Sequence, residues 1–144
     1  MTVQAMTKQA AEYAIFTRQI AFTLFLQAWQ QDQSKQAMEI ANFILADGGY
    51  PEAAALRLLL DRRSLAEKEP EIKKAFSKYP GFAEFLIGEY YLKNGNTEKA
   101  LKAYAQSYQS ILNGEDSQLN ERRWFVGRLR ARISELSDPS EPKD

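Results

Sequence analysis

Cysteine and histidine are both absent from this 144-residue chain. Without thiols there is no disulfide, no thiolate nucleophile and no Cys-ligated metal. Without imidazole there is no His general base, no His ligand and no His-based switch near neutral pH. An excess of either charge is missing too. Lys+Arg and Asp+Glu each number 19, so the whole molecule has no strong field to draw it onto nucleic acid or an anionic membrane. The apolar block Ile20 to Leu26 is too short for a bilayer and lies behind Arg18 and Gln19, unlike a signal peptide. No membrane span is expected, and the cytoplasm is the expected compartment. Phosphate-loop and dinucleotide glycine patterns, a Gly-x-Ser-x-Gly elbow and a calcium-binding loop are all lacking. The expectation is a protein that is not an enzyme and has no cofactor and no metal site.

Strand-like alternation is lacking as well, and helical spacing replaces it, so the expected fold class is all-α. The best-defined stretch runs from Phe82 to Tyr108. Two helical patterns meet there at Asn94-Gly95-Asn96. Gly95 is suited to the positive φ that ends a helix, and Thr97 is expected to cap the next one with its hydroxyl. Phe85, Ile87, Tyr91 and Leu92 mark the first helix, and Ala100, Leu101, Tyr104 and Tyr108 the second. Gly88 and Ala100 are small enough to let the two backbones approach, while Tyr91 and Tyr104 fill the space beside them.

A helical hairpin closed in this way resembles one tetratricopeptide repeat. Ile87 and Gly88 stand at the family's Leu-Gly pair, and Tyr91 at its first-helix aromatic. Gly95 stands at the turn glycine, Ala100 at the second-helix alanine and Tyr104 at the aromatic after it. The chain departs from the pattern at Glu84, where Trp is usual, at Ser107, which replaces a late Ala, and at Leu112, where Pro is common. The resemblance implies a right-handed αα-hairpin solenoid whose first helices line a concave groove. It would place Phe82, Phe85, Glu89, Leu92 and Lys93 toward that groove, and it implies a non-catalytic adaptor holding another protein or peptide segment. Phe85 and Glu89 occupy sites where the family's carboxylate clamp has Lys and Asn, so capture of chaperone tails is disfavoured.

The remaining chain reads as blurrier copies of this unit. From Thr7 to Gln31 the row Tyr13, Phe16, Ile20, Leu24 marches at helical spacing, and Ile15, Phe22, Phe25, Leu26 and Trp29 widen it. Such a helix needs cover on more than one side. Burial under the rest of the array is the expected cover, and the alternative makes Phe22, Leu26 and Trp29 candidates for a second interface with a partner or with a second copy in a homodimer. Ser34 is the expected cap of a helix reaching Ala46, with Ala37, Ile40, Ala41, Ile44 and Leu45 inward. Asp32 stands where a turn glycine would be, and Asp47-Gly48-Gly49 stops the helix.

Tyr50-Pro51 and Tyr79-Pro80 each open an apolar helix, as a proline in the first helical turn does. The middle unit is expected to comprise helices over 51–60 and 70–78, with Ile72, Ala75 and Phe76 inward and 61–69 as an irregular or partly helical connection. A last helix over 118–136, with its seam at Val126, Leu129, Ile133 and Leu136, caps the array. Arg122, Arg123, Arg128, Arg130 and Arg132 decorate it. They form no single stripe and are expected to be solvated, so nucleic acid is disfavoured as a partner. The domain expected is 1–136, about three hairpins plus the capping helix, with 137–144 as a flexible tail. Two alternatives stand beside the adaptor: a dedicated chaperone for an apolar client segment, and a self-association module acting through the first helix.

Overall fold

The computed structural model describes residues 3–46, 51–114 and 125–137, with side chains from Thr17 onward except that of Pro51. Among the described residues there are seven helices and no strand. The chain divides into two compact units, Met1–Arg57 and Leu58–Asp144.

In the first unit α1 (Val3–Gln30) packs on α2 (Ser34–Leu45). Between them Asp32 takes a positive φ of 58°, the left-handed conformation usually left to glycine. The Gln33 N–H donates to the Ala28 carbonyl (2.9 Å) and the Asp32 N–H to the Trp29 carbonyl (3.3 Å). This crossed pair is the Schellman ending of a helix. Ser34 is the first residue of α2 rather than its cap; Gln33 holds the cap position and makes no side-chain bond there. Ala37, Ala41 and Ile44 are buried, as their spacing predicts.

The inner side of α1 is not the row expected. Ile20 and Leu24 are 44% and 49% exposed, whereas Phe22, Phe25 and Leu26 are fully buried. The ring centroids of Phe22 and Phe25 are 6.3 Å apart, and those of Phe25 and Trp29 6.0 Å apart. On a helix apolar nearly all round, the side with the largest surface to hide goes inward, and three rings at i, i+3 and i+7 outweigh Ile and Leu. Helix α3 (Pro51–Leu60), whose last three residues belong to the second unit, begins at the proline and buries Ala53, Ala55, Leu56 and Leu59.

The second unit contains α4 (Leu65–Ala75), α5 (Pro80–Lys93), α6 (Thr97–Leu112) and α7 (Val126–Ser137). Helix α4 packs on α5, α5 on α6, and α6 on α7. Helix α4 starts five residues before the expected Pro70, because Ser64 caps it by accepting from the Glu67 N–H (3.4 Å). Pro70 therefore lies inside the helix. Its inner row is Leu65, Lys68, Ile72 and Phe76, and Ala75 is exposed. Lys68 has no exposed surface; its Nζ donates to the Asp61 carbonyl (2.7 Å) and lies 3.8 Å from the Tyr90 ring centroid, a cation–π contact. The turn into α4 is further held by Arg63, whose guanidinium grips Glu71 and Asp61 and holds the Asp61 carboxyl at about 2, mainly by hydrogen bonding.

Helices α5 and α6 meet through a second Schellman turn. Gly95 has φ 78°, its N–H donates to Leu92 O (3.0 Å), and the Asn96 N–H donates to Tyr91 O (2.9 Å). Asn96, not Thr97, caps α6: its Oδ1 accepts from the Lys99 N–H at 3.2 Å. At the crossing, a Cβ on Gly88 would lie 2.6 Å from Cε1 of Tyr104, so the glycine is what permits this approach. Ser107 donates to the Gly81 carbonyl (2.5 Å), tying α6 to the first turn of α5. Gly88, Ala100, Tyr104 and Ser107 are all buried.

Candidate functional site

Helix α5 carries the residues expected to line a groove, and the structure closes that face. Phe82, Phe85 and Glu89 have 2%, 0% and 0% of their surface exposed. The Phe125 ring, one residue ahead of α7, sits 5.3 Å from Phe82 and 5.1 Å from Phe85 between centroids. Phe76 meets Phe82 edge-on at 5.0 Å, and Tyr104 lies 6.1 Å from Phe85. These three residues therefore correct the expected open groove: the aromatic surface is hidden by the chain's own residues, which removes more apolar area from water than leaving it bare. Leu92 and Lys93, further along α5, are half-buried.

Glu89 is a carboxylate with no exposed surface, and such a group requires partners. Tyr104 from α6 donates its hydroxyl to Oε2 at 2.9 Å. Arg128 from α7 donates Nε to Oε1 at 2.6 Å, and Arg132 Nε approaches Oε2 to 3.6 Å. The two arginines expected on a solvated flank are thus the counterions of a buried acid. Arg130, on the opposite flank, lies over the Tyr108 ring at 5.8 Å. Two nitrogens in the cluster, Arg128 Nη2 and Arg132 Nε, are buried without a hydrogen-bond partner. Burial first, then the charge of Glu89 and the hydrogen bond to it, push the Tyr104 hydroxyl far above its ordinary pKa of 10.0. Three helices converge on one carboxylate here. The arrangement fixes α7 on the hairpin and offers no reacting group to solvent.

Of the five large apolar side chains that stand exposed among the described residues, four (Ile20, Leu24, Met38 and Phe43) lie on the α1–α2 hairpin and the fifth, Leu112, ends α6. A cleft of about 410 Å³ opens on that hairpin, with Leu24, Gln27 and Ala28 from α1 on one side, Gln36, Glu39 and Ile40 from α2 on the other, and Gln33 at the turn. Ile20, one turn before Leu24, and Phe43, one turn after Ile40, do not line the cleft but continue the same helix faces by their spacing. Phe43 is 59% exposed. Of the candidates for a second interface, Phe22 and Leu26 have no surface to offer, which corrects that alternative and agrees with their expected burial. Trp29 is half-buried. Sequence reading missed Ile20, Leu24 and Phe43 as surface residues. The available signal was the company they keep, since Gln27, Gln33 and Gln36 crowd the same side.

Comparison with family models, curated proteins and solved structures gave no match. Among the described residues no helix is long and apolar enough to cross a membrane, and no group of His, Cys, Asp or Glu is placed to hold a metal ion.

Proposed function

We propose that this chain is a non-catalytic protein-interaction module that holds an apolar-anchored segment of another polypeptide in the α1–α2 cleft. The observation that carries the reading is the pairing of exposed Ile20, Leu24 and Phe43 with a cleft rimmed by amides. Covering the exposed part of these three side chains contributes roughly 1 kcal/mol each, and ~3 kcal/mol together is about a hundredfold in affinity. Gln27, Gln33 and Gln36 both donate and accept, which suits the backbone of an extended segment or the polar edge of a helix. Glu39, the one charged residue of the lining, favours a basic residue at the segment's flank. The reading of α5–α6 as a tetratricopeptide-like hairpin is supported by the Gly88–Tyr104 approach, the buried Ala100 and the Gly95 turn.

The test is a photo-reactive residue placed at Gln36, with Lys102 on α6 as the control position. A defined partner is expected to cross-link at Gln36, and the adduct is expected to disappear when Leu24→Gln and Phe43→Ser are introduced together. Cross-linking that is equal at both positions, or indifferent to the two substitutions, counts against the cleft.

Self-association through the same surface is the second reading. It is favoured by the shortage of charge on the rim, because a two-fold axis brings like charges together and there is little here to repel. Light scattering over a range of concentrations decides it, and a strict monomer disposes of it.

A further inference from the structure

We infer that α7 is a ligand held in cis: the α5–α6 face is a receptor for a helix with the pattern aromatic-x-x-Arg-Leu-x-x-Arg, and a segment of another polypeptide with that chemistry displaces α7. The face offers two phenyl rings, Phe82 and Phe85, and one carboxylate, Glu89, with the Tyr104 hydroxyl beside it. Phe125 meets the rings and Arg128 and Arg132 meet the carboxylate. Leu129 is the one residue of α7 that is buried. An aromatic followed at +3, +4 and +7 by Arg, Leu and Arg is the complement of this surface, because those offsets share one side of a helix.

Three features make the occupant weakly held. Arg128 Nη2 and Arg132 Nε are buried with no hydrogen bond, so the fit to the receptor is incomplete. Among the described residues from Phe125 onward, Phe125 and Leu129 alone bring fully buried apolar surface. Gly127 lies in the first turn of α7, yet a Cβ placed on it meets nothing within 4 Å. No close packing asks for a glycine there, and its effect is to loosen the helix that carries both arginines. A competing helix with the same anchors and no glycine would therefore bind the face better than α7 does. This inference concerns the second unit alone and stands or falls independently of the α1–α2 cleft.

The full-length chain is titrated against a fluorescent synthetic peptide of its own residues 121–137, read by anisotropy. Saturable binding is expected, because α7 opens and yields the face. Gly127→Ala in the protein, which firms α7 in place, is expected to weaken peptide binding roughly fivefold. Phe125→Ala or Arg128→Ala in the peptide is expected to weaken it at least tenfold. No binding, or binding indifferent to these changes, overturns the proposal. So does a stable dimer that has exchanged α7 between copies and excludes the peptide. Amide hydrogen exchange on the unaltered protein gives a readout free of any folding defect. The amides of α7 are expected to exchange at least tenfold faster than those of α5 and α6 through a local opening. Equal protection of the three helices overturns the inference.

Discussion

Replacing Gly88 by Ala sets two effects of opposite sign against each other, and the structure decides between them. In a helix interior alanine is favoured over glycine by about 1 kcal/mol, so propensity alone predicts a more stable protein. The added Cβ, however, would sit 2.6 Å from Cε1, 2.7 Å from Cδ1 and 3.1 Å from Cζ of Tyr104. Carbon atoms rest roughly 3.5–4 Å apart, so the overlap approaches an ångström. The ring has little room to retreat: it is fully buried, its hydroxyl is bonded to Glu89 at 2.9 Å, and Phe85 stands beside it. Overpacking of this kind costs about 1–3 kcal/mol, and a rigid ring facing a backbone belongs in the upper half of that range. The net expectation is a loss of about 1–2 kcal/mol. In thermal unfolding followed by circular dichroism this is a fall in Tm of roughly 3–6 °C for a chain of this size. The same substitution made on a Tyr104→Leu background, where the ring is gone, should be neutral or stabilising. A Gly88→Ala protein more stable than the parent, or an equal loss on both backgrounds, would refute the close approach as the reason for the glycine.

Three further outcomes follow from the same geometry. Asp32→Gly relieves a left-handed backbone at a helix end and should stabilise by about 0.5–1 kcal/mol, read from the urea midpoint; a loss would mean that the Asp32 side chain contributes more than its backbone strain costs. Glu89→Ala leaves Arg128 buried without its counterion and should cost about 3–5 kcal/mol, far above substitution of the exposed Glu98, which should stay within about 0.5 kcal/mol. Tyr104 is held protonated in the folded chain, with its pKa raised above the unfolded value of 10.0, so its contribution is whole below that pH. Above it the unfolded chain ionises more readily than the folded one, and each further pH unit removes about 1.4 kcal/mol. Tyr104→Phe should flatten that alkaline decline, and an unchanged slope would place its cause elsewhere.

The hairpin α5–α6 was legible because its signals are local. A glycine opposite an aromatic, an alanine on the facing helix and a turn glycine fall at fixed offsets, and each constrains the backbone on its own. Helix α1 was legible as a helix but not in its rotation, since a segment apolar nearly all round leaves several rows to choose from and only ring area breaks the tie. The start of helix α4 is hidden in the sequence for two reasons. Lys68 interrupts an otherwise apolar row, hiding the periodicity of Leu65, Ile72 and Phe76, and Pro70 imitates a helix start. The lysine is admissible inside because a carbonyl and a tyrosine face receive its ammonium, and neither partner is marked as such in sequence. The expected groove failed for a longer-range reason. Which face of α5 stays open depends on where Phe125 and α7 settle, and no pattern within α5 records it.

The closing of that face also explains why an acid is tolerated at its centre. Burying Phe82, Phe85 and Phe125 favours closure by roughly 1.5–3 kcal/mol per side chain, an upper estimate because unfolded chains are already partly collapsed. Drying Glu89 and its arginines opposes closure by several kcal/mol per ion, offset in part by hydrogen bonds at 2.6 and 2.9 Å. Apolar burial therefore drives α7 onto the hairpin, while the ion cluster adds little net stability and instead selects the register. With Arg128 on Glu89, Phe125 falls against both rings, and a slip of one residue along α7 would turn the guanidinium away from the carboxylate by about 100°. A closure driven by rings and given its register by charges, with two buried guanidinium nitrogens lacking a hydrogen bond, is the combination that a displaceable helix requires.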